Sequence, residues 1–287
     1  MTKRFLIGFL CCLMSFVDQV FAQQSLKKDS LFLAHLLENN LQKEALLFMS
    51  RLPDSLNQRL DLHFQKGFAH YNLKQLDSSV FYLAKVNLQS SNFTKAKYFE
   101  GLSHSYLGQY SSAKKAFDQP VINDSLTMAL HNFELAGLAL LERNSTKFDS
   151  LSQHFTDRFY AVQKQQGFFK NYQQSIVSQS RKSPLKAAIF STILPGAGKV
   201  YAGQLGQGIA AFLQNAVFGF QAYEGYRKNG LWSPRTIIFG GLFTLFYVGN
   251  IWGSALSIKI KREEFNDKTD EQIRFDMHIP LRTIFNK

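Results

Sequence analysis

Apolar residues recur at intervals of three and four from Ser30 to about Gln179, with few prolines or glycines to interrupt them. That spacing keeps one face of a helix apolar and predicts a run of amphipathic helices. The pattern changes at Lys182–Lys186, a basic, proline-broken stretch that marks a boundary. Ala187 to Leu194 is apolar but short, and reads as an interfacial or re-entrant helix ending at Pro195. Leu205–Tyr226 and Thr236–Ile258 are each long enough to span a bilayer at ~1.5 Å per residue. The second is apolar throughout, whereas the first carries Gln207, Gln214, Asn215 and Gln221. After Arg262, a charged stretch leads to Ile273, Phe275, Met277, Ile279 and Leu281, an alternation that predicts one short strand. The fold class expected is all-α: helical-hairpin repeats followed by a membrane helical hairpin. The segments are a leader over 1–22, repeats over 23–180, a membrane module over 181–262 and a charged tail over 263–287.

Within the repeats the chain matches itself. Gly67 and Gly101 stand 34 residues apart, and Phe64 pairs with Tyr98, Leu73 with Leu107, Leu76 with Tyr110, Ser79 with Ala113, and Leu83 with Phe117. This period, with a small residue in the first helix and alanine then phenylalanine in the second, resembles the tetratricopeptide family. The second copy, YFEGLSHSYLGQYSSAKKAFDQP, is the closer one. There Gly101 lets two helices approach, Gly108 makes the turn, Tyr110, Ala113 and Phe117 pack the second helix back, and Pro120 stops it. The first copy carries Lys74 at the turn and Ser79 in place of alanine. An earlier unit places Ala45 in the small position, and Leu126 to Phe155 forms a further pair, turning at Asn144–Ser145, whose spacing has slipped. Three to four units are expected.

The resemblance implies protein binding through a concave face lined by first helices. The matching positions are Phe64, Phe68, Tyr71, Asn72, Lys95, Tyr98, Leu102 and Tyr106, either as anchors for a partner segment or as core between repeats. His63, His70 and His104 lie on the same helices, but no carboxylate or further histidine converges on them at ligand spacing, so no metal site is expected.

In the membrane module Gln207, Gln214 and Gln221 repeat every seven residues and share a helix face. Gly249, Gly253 and Ser257 stand four apart, with Asn250 and Ser254 beside them. Small residues let backbones approach and amides satisfy one another, so the glutamine stripe is expected to face these residues. The same face offers a contact to a second copy of the chain. A partly soluble hairpin is the alternative. The turn PGAGKVYAGQLGQG is not a phosphate loop: Ile193 stands where the first glycine of that motif belongs, and Val200 follows Lys199. It resembles instead the P-G-x-G-x-x-Y-x-G-x-x-x-x-G signature of small bacterial two-helix membrane domains, filled by Pro195, Gly196, Gly198, Tyr201, Gly203 and Gly208. Gly249-Asn250-Ile251-Trp252-Gly253 is similar to their G-N-I-Y-G element, with Trp252 replacing tyrosine. That resemblance covers about Ser183 to Lys261 and implies an exported bacterial protein.

The ends and the charge complete the picture. Lys3 and Arg4 precede an apolar run from Phe5 to Val17, and Val20-Phe21-Ala22 supplies a cleavage site before Gln23, the layout of a secretory signal. An uncleaved anchor is the alternative. Cys11 and Cys12 are the only cysteines, and both lie in that segment, so no disulfide or cysteine chemistry is expected in the mature chain. The formal charge is +12, and from Arg181 onward 14 basic residues stand against 7 acidic ones. Basic charge beside apolar spans suits anionic lipid, whereas the basic stripe that nucleic-acid binding needs is missing. Arg227, Lys228 and Arg235 suit a cytoplasmic connecting loop, while Lys182, Lys186, Lys259, Lys261 and Arg262 argue the other way. The leader favours repeats in the periplasm, held at a bacterial inner membrane. No catalytic constellation and no cofactor motif stands out. The function expected is a non-catalytic, membrane-anchored adaptor that binds a protein or peptide through its repeats. An accessory subunit of a transport or envelope-assembly complex, acting through the two-helix module, is the alternative.

Overall fold

A computed structural model of the chain describes residues 27–53, 56 and 60–285, so the leader falls outside the described residues. Those residues are helical, with no strand among them. In chain order they form α1 (27–38), α2 (Gln42–Arg51), α3 (Leu62–Asn72), α4 (Leu76–Leu83), α5 (Phe93–Tyr106), α6 (Tyr110–Phe117) and α7 (Ser125–Leu141). There follow α8 (Ser145–Ser152), α9 (Tyr160–Ser180), α10 (Pro184–Ile193), α11 (Ala197–Tyr201), α12 (Leu205–Asn229) and α13 (Pro234–Phe285). The chain divides into two compact units. The first holds α1 to α6, α7 as far as Leu138, residues 154–162 and the end of α13 from Met277; the second holds 139–153 and 163–276.

Four helix pairs are closed by one kind of turn. Asn40, Lys74, Gly108 and Arg143 take the left-handed conformation, with φ of 58°, 62°, 72° and 56°. They recur after 34, 34 and 35 residues, so the slip in the last pair is a single residue. After each, the next amide reaches back five residues: Leu41 to the Leu36 carbonyl, Gln75 to His70, Gln109 to His104 and Asn144 to Ala139. Each left-handed residue's own N–H reaches back three, which completes a Schellman ending and satisfies carbonyls that a helix terminus otherwise orphans. His70 and His104 reinforce the turns from outside. Their Nδ1 atoms lie 2.6 and 2.7 Å from the side-chain oxygens of Gln75 and Gln109.

Packing within the pairs follows from small residues. A Cβ on Gly67 would meet the Leu83 side chain at 2.7 Å, and one on Gly101 would meet the Phe117 ring at 2.4 Å. Ala45, Ser79 and Ala113, equivalent in the second helices, are fully buried. Around them Met49, Tyr98, Phe99, Leu102, Phe117, Phe133 and Leu138 make a core shielded from water. Each such side chain contributes ~1.5–3 kcal/mol of burial energy.

The second unit is built around polar contacts. Ser191 Oγ of α10 lies 2.7 Å from Ser254 Oγ of α13, and it accepts the Gly198 amide at 3.0 Å. Arg262 donates to the Lys182 carbonyl at 2.6 Å, and the Tyr247 hydroxyl donates to the Thr192 carbonyl. Helices α12 and α13 run antiparallel: Gly225 lies against Thr236, and Phe218 against Phe239 and Phe246.

The tail corrects a sequence expectation. Residues from Ile273 to Leu281 belong to α13 and are not a strand. Ile273, Met277 and Leu281 are fully buried, while Phe275 is exposed. The spacing of four governs burial here, and the spacing of two was incidental.

Candidate functional site

The end of α13 lies along the first helices of the repeat unit. His278 packs against Tyr71 and Phe99, with ring centres 5.7 and 6.2 Å apart. Phe285 packs against Tyr98 at 5.9 Å, and Lys95 Nζ donates to the Phe285 carbonyl at 3.2 Å. Met277 fills the space that Gly137 leaves open, where an added Cβ would stand 2.7 Å from its sulfur.

The residues expected to line a partner groove therefore fall into two groups. Tyr98 and Leu102 are fully buried, and Phe64 and Tyr71 nearly so. Phe68, Lys95 and Tyr106 are half-buried, and Asn72 is exposed. Phe64, Phe68, Tyr71, Asn72, Lys95 and Phe99 share one open cavity of about 700 Å³, which His278 and Arg282 also border. Phe68 stacks on Phe64 and Tyr71 and meets Phe99 edge-on at 5.1 Å. Lys95 stands over the Phe68 ring at 4.6 Å, a cation–π contact. Burial lowers its ammonium's pKa from the ordinary lysine value. These side chains lie on α3 and α5, beside Phe99, Glu134, His278 and Phe285, which the sequence pattern does not single out. Glu134 is completely buried, and neither of its oxygens has a hydrogen-bond partner. Burial holds its carboxyl well above the usual carboxylate range. The Tyr71 and Tyr98 hydroxyls are also buried without partners. Burial raises both phenols, and the Glu134 charge adds to each shift. Among the described residues no three histidine, cysteine or acidic side chains gather as metal ligands would.

No family model, curated protein or solved structure matches this chain. Its own geometry is what speaks for its function.

In the second unit the glycine turn has a physical reason at nearly every motif position. Gly196 takes φ +90°, and an added Cβ would stand 2.0 Å from the Gly208 carbonyl oxygen. One on Gly198 would stand 2.0 Å from the Ala187 carbonyl oxygen. Only glycine fits such backbone-on-backbone contacts. Gly203 lies in open space but takes φ +88°. Tyr201 accepts the Ser183 amide at 3.2 Å and meets Phe190 edge-on. Pro195 borders an apolar cavity of about 480 Å³ with Phe212, Asn215, Phe243 and Tyr247.

The glutamine stripe is not brought against the small-residue face. Gln207 and Gln214 are exposed, and Gln221 is half-buried, accepting from Arg235. Gly249 meets nothing within 4 Å, and the nearest atom to a Cβ on Gly253 is from Lys199 at 3.8 Å. The buried face of α12 runs through Gly208, Ala211 and Asn215, and that of α13 through Asn250, Ser254 and Ser257. Gln207 and Gln214 keep their amides on the surface of α12, whereas Asn250 is buried with both ends of its amide unpartnered.

Among the described residues one helix, α13, is long and apolar enough to cross a membrane, and little of its apolar window is buried by the protein itself. Most large hydrophobic side chains left exposed lie between residues 185 and 260.

Proposed function

We propose that this protein is a membrane-anchored adaptor without catalytic activity, in which tetratricopeptide-like repeats hold a protein or peptide segment. A two-helix module built from α12 and α13 fixes it to the inner membrane of a bacterium, with the repeats in the periplasm. The observation that carries this reading is the aromatic first-helix face, Phe64 to Phe99, against which a helical segment already lies. Aromatic side chains supply large contact areas at low entropic cost, as binding hot spots do. The exposed apolar belt from Leu185 to Ile260 supports the anchor, because soluble proteins rarely leave so much contiguous apolar surface in water. A photo-crosslinking amino acid at the exposed Asn72, in intact spheroplasts, tests both parts. Adducts to an envelope protein, with the repeats open to added protease, are the expected outcome. Protected repeats without adducts would refute it.

A further inference from the structure

The end of α13 answers Lys95 of the repeat face through the Phe285 carbonyl but leaves Glu134, Tyr71 and Tyr98 without hydrogen-bond partners. Glu134 stands one helical turn from Gly137 on the same face of α7, and Gly137 is the residue that Met277 covers. Phe99, in the matching place of the preceding pair, touches His278 directly. Glu134 is wholly buried with both oxygens unpartnered, and the Tyr71 and Tyr98 hydroxyls share that condition. What the segment brings to Gly137, one turn from Glu134, is Met277, which is fully buried and no hydrogen-bond donor. Native proteins rarely bury a carboxyl group that nothing contacts, because desolvation is then uncompensated. The occupant is thus complementary in volume and apolar character, and deficient in one cation.

We propose that residues 277–285 are an internal stand-in for the ligand of the repeat face, and that the ligand is a helical segment of another protein presenting lysine or arginine where this chain places Met277. Its cation pairs with Glu134, which the stand-in leaves alone, and its apolar side chains replace His278, Leu281 and Phe285 on the aromatic surface. The stand-in keeps that surface from water until such a segment displaces it. The inference rests on the repeats being a binding domain.

Amide hydrogen exchange of the full chain in detergent micelles reads the stand-in without any partner. Met277→Asp sets a second carboxylate beside Glu134 and should speed exchange over residues 278–285 at least tenfold. Met277→Lys should exchange no faster than the native chain, since the ammonium supplies the missing partner, and Met277→Leu serves as the volume-matched baseline. In a Glu134→Gln background the lysine should lose its advantage. A lysine variant that opens as far as the aspartate variant, whether or not Glu134 is present, overturns the proposal. A second arm titrates fluorescent peptides of residues 273–285, carrying lysine or methionine at position 277, onto the full-length Met277→Asp chain. Lysine should bind at least tenfold tighter, and equal binding overturns the proposed ligand chemistry. If neither peptide binds while the lysine effect persists within the chain, the binding-domain reading falls and the Glu134 pairing stands.

Discussion

Phe117 in the repeat unit is fully hidden, whereas Phe220 in the second unit is 73% exposed; Ser254 of that unit is fully buried. The repeat unit turns its aromatic rings inward and shows water its lysines and glutamines. Between Ser183 and Ile260 the second unit turns Ser191, Asn215, Asn250 and Ser254 inward and shows its surroundings phenylalanine, leucine and isoleucine, although Phe148, Phe169 and Ile273 of the same unit are buried. Both are made of α-helices with the same backbone hydrogen-bond pattern, so the helix as such does not decide which side chains go inside. The solvent does. In water apolar area drives burial, while in hydrocarbon that drive vanishes, and hydrogen bonds and close backbone approach hold helices together. Ser191 with Ser254, and Gly196 with Gly208, are contacts of the second kind. Gly67 with Leu83 and Gly101 with Phe117 are contacts of the first.

The largest test of this contrast removes one phenylalanine from each unit. Phe117→Ala empties a core site beside Gly101 and should destabilise the repeat unit by ~3–5 kcal/mol, the usual cost of a buried phenylalanine. Phe220→Ala removes a ring that packs on little protein and should fall within ~0.5 kcal/mol, as exposed substitutions do. Denaturant titration of the full chain in micelles, followed by circular dichroism, compares the two. Equal losses would mean that the second unit has an ordinary aqueous core.

A smaller test inverts the polarity. Asn250→Leu exchanges a buried, unpartnered amide for an apolar side chain of similar volume and should be neutral or stabilising, by up to ~1–3 kcal/mol. Thermal aggregation in micelles measures it. A clear loss of stability would show that the amide is satisfied within the folded chain.

How much of this contrast the residues announce depends on the distance over which contacts act. The 34-residue register was readable because Gly67, Leu83, Gly101 and Phe117 interact within one hairpin. The glycine motif from Pro195 to Gly208 was readable for the same reason. The glutamine stripe was real as a helix face, but a spacing of seven does not say whether that face looks inward. Gly208, Ala211 and Asn215 share the same helical period and took the interior. At the tail, Ile273 to Leu281 satisfied periods of two and four together. Only docking against residues such as Lys95, 190 positions away from Phe285, selected the second. Nothing local marks Glu134 as a buried carboxyl, since its setting is assembled from three separate helices.

Protonation sharpens the comparison from inside the repeat unit. Burial lowers the pKa of His278, with the charges of Lys74 and Arg282 adding to the effect. The docked histidine therefore binds fewer protons than a free one, and below its ordinary pKa of ~6.5 docking weakens as pH falls. Glu134 is shifted upward by burial, so above its ordinary pKa of ~4.3 the docked form retains a proton that the open form loses. That contribution weakens docking as pH rises. The two slopes oppose each other just below about pH 6.5, where the open histidine takes up its proton. Above it the Glu134 slope remains, at up to ~1.4 kcal/mol per pH unit until its raised pKa is passed. Tyr71 and Tyr98 are both raised and stay neutral throughout. Exchange protection of residues 277–285 should be greatest in mildly acidic buffer and decline toward pH 9. Glu134→Gln should abolish the alkaline decline, and a decline that survives it would assign the effect to another group.

The smallest effect lies in the turns, where the two units use the left-handed conformation differently. Gly196 needs glycine for space as well as for φ, whereas Lys74 holds φ 62° with a side chain in place. A non-glycine residue there carries a local penalty of ~1–2 kcal/mol. Lys74→Gly should recover part of it, a net gain of ~0.5–1 kcal/mol once the greater freedom of glycine in the unfolded chain is counted. Some of the gain is offset, because Lys74 Nζ stands over the Tyr71 ring at 5.7 Å. The charge it removes is also one that lowers His278, so a given acid loss of docking should be reached only at a lower pH in the same variant. A stability gain without that movement would mean that the turn and the docked segment are felt separately; both together would tie the repeat's geometry to the helix lying on it.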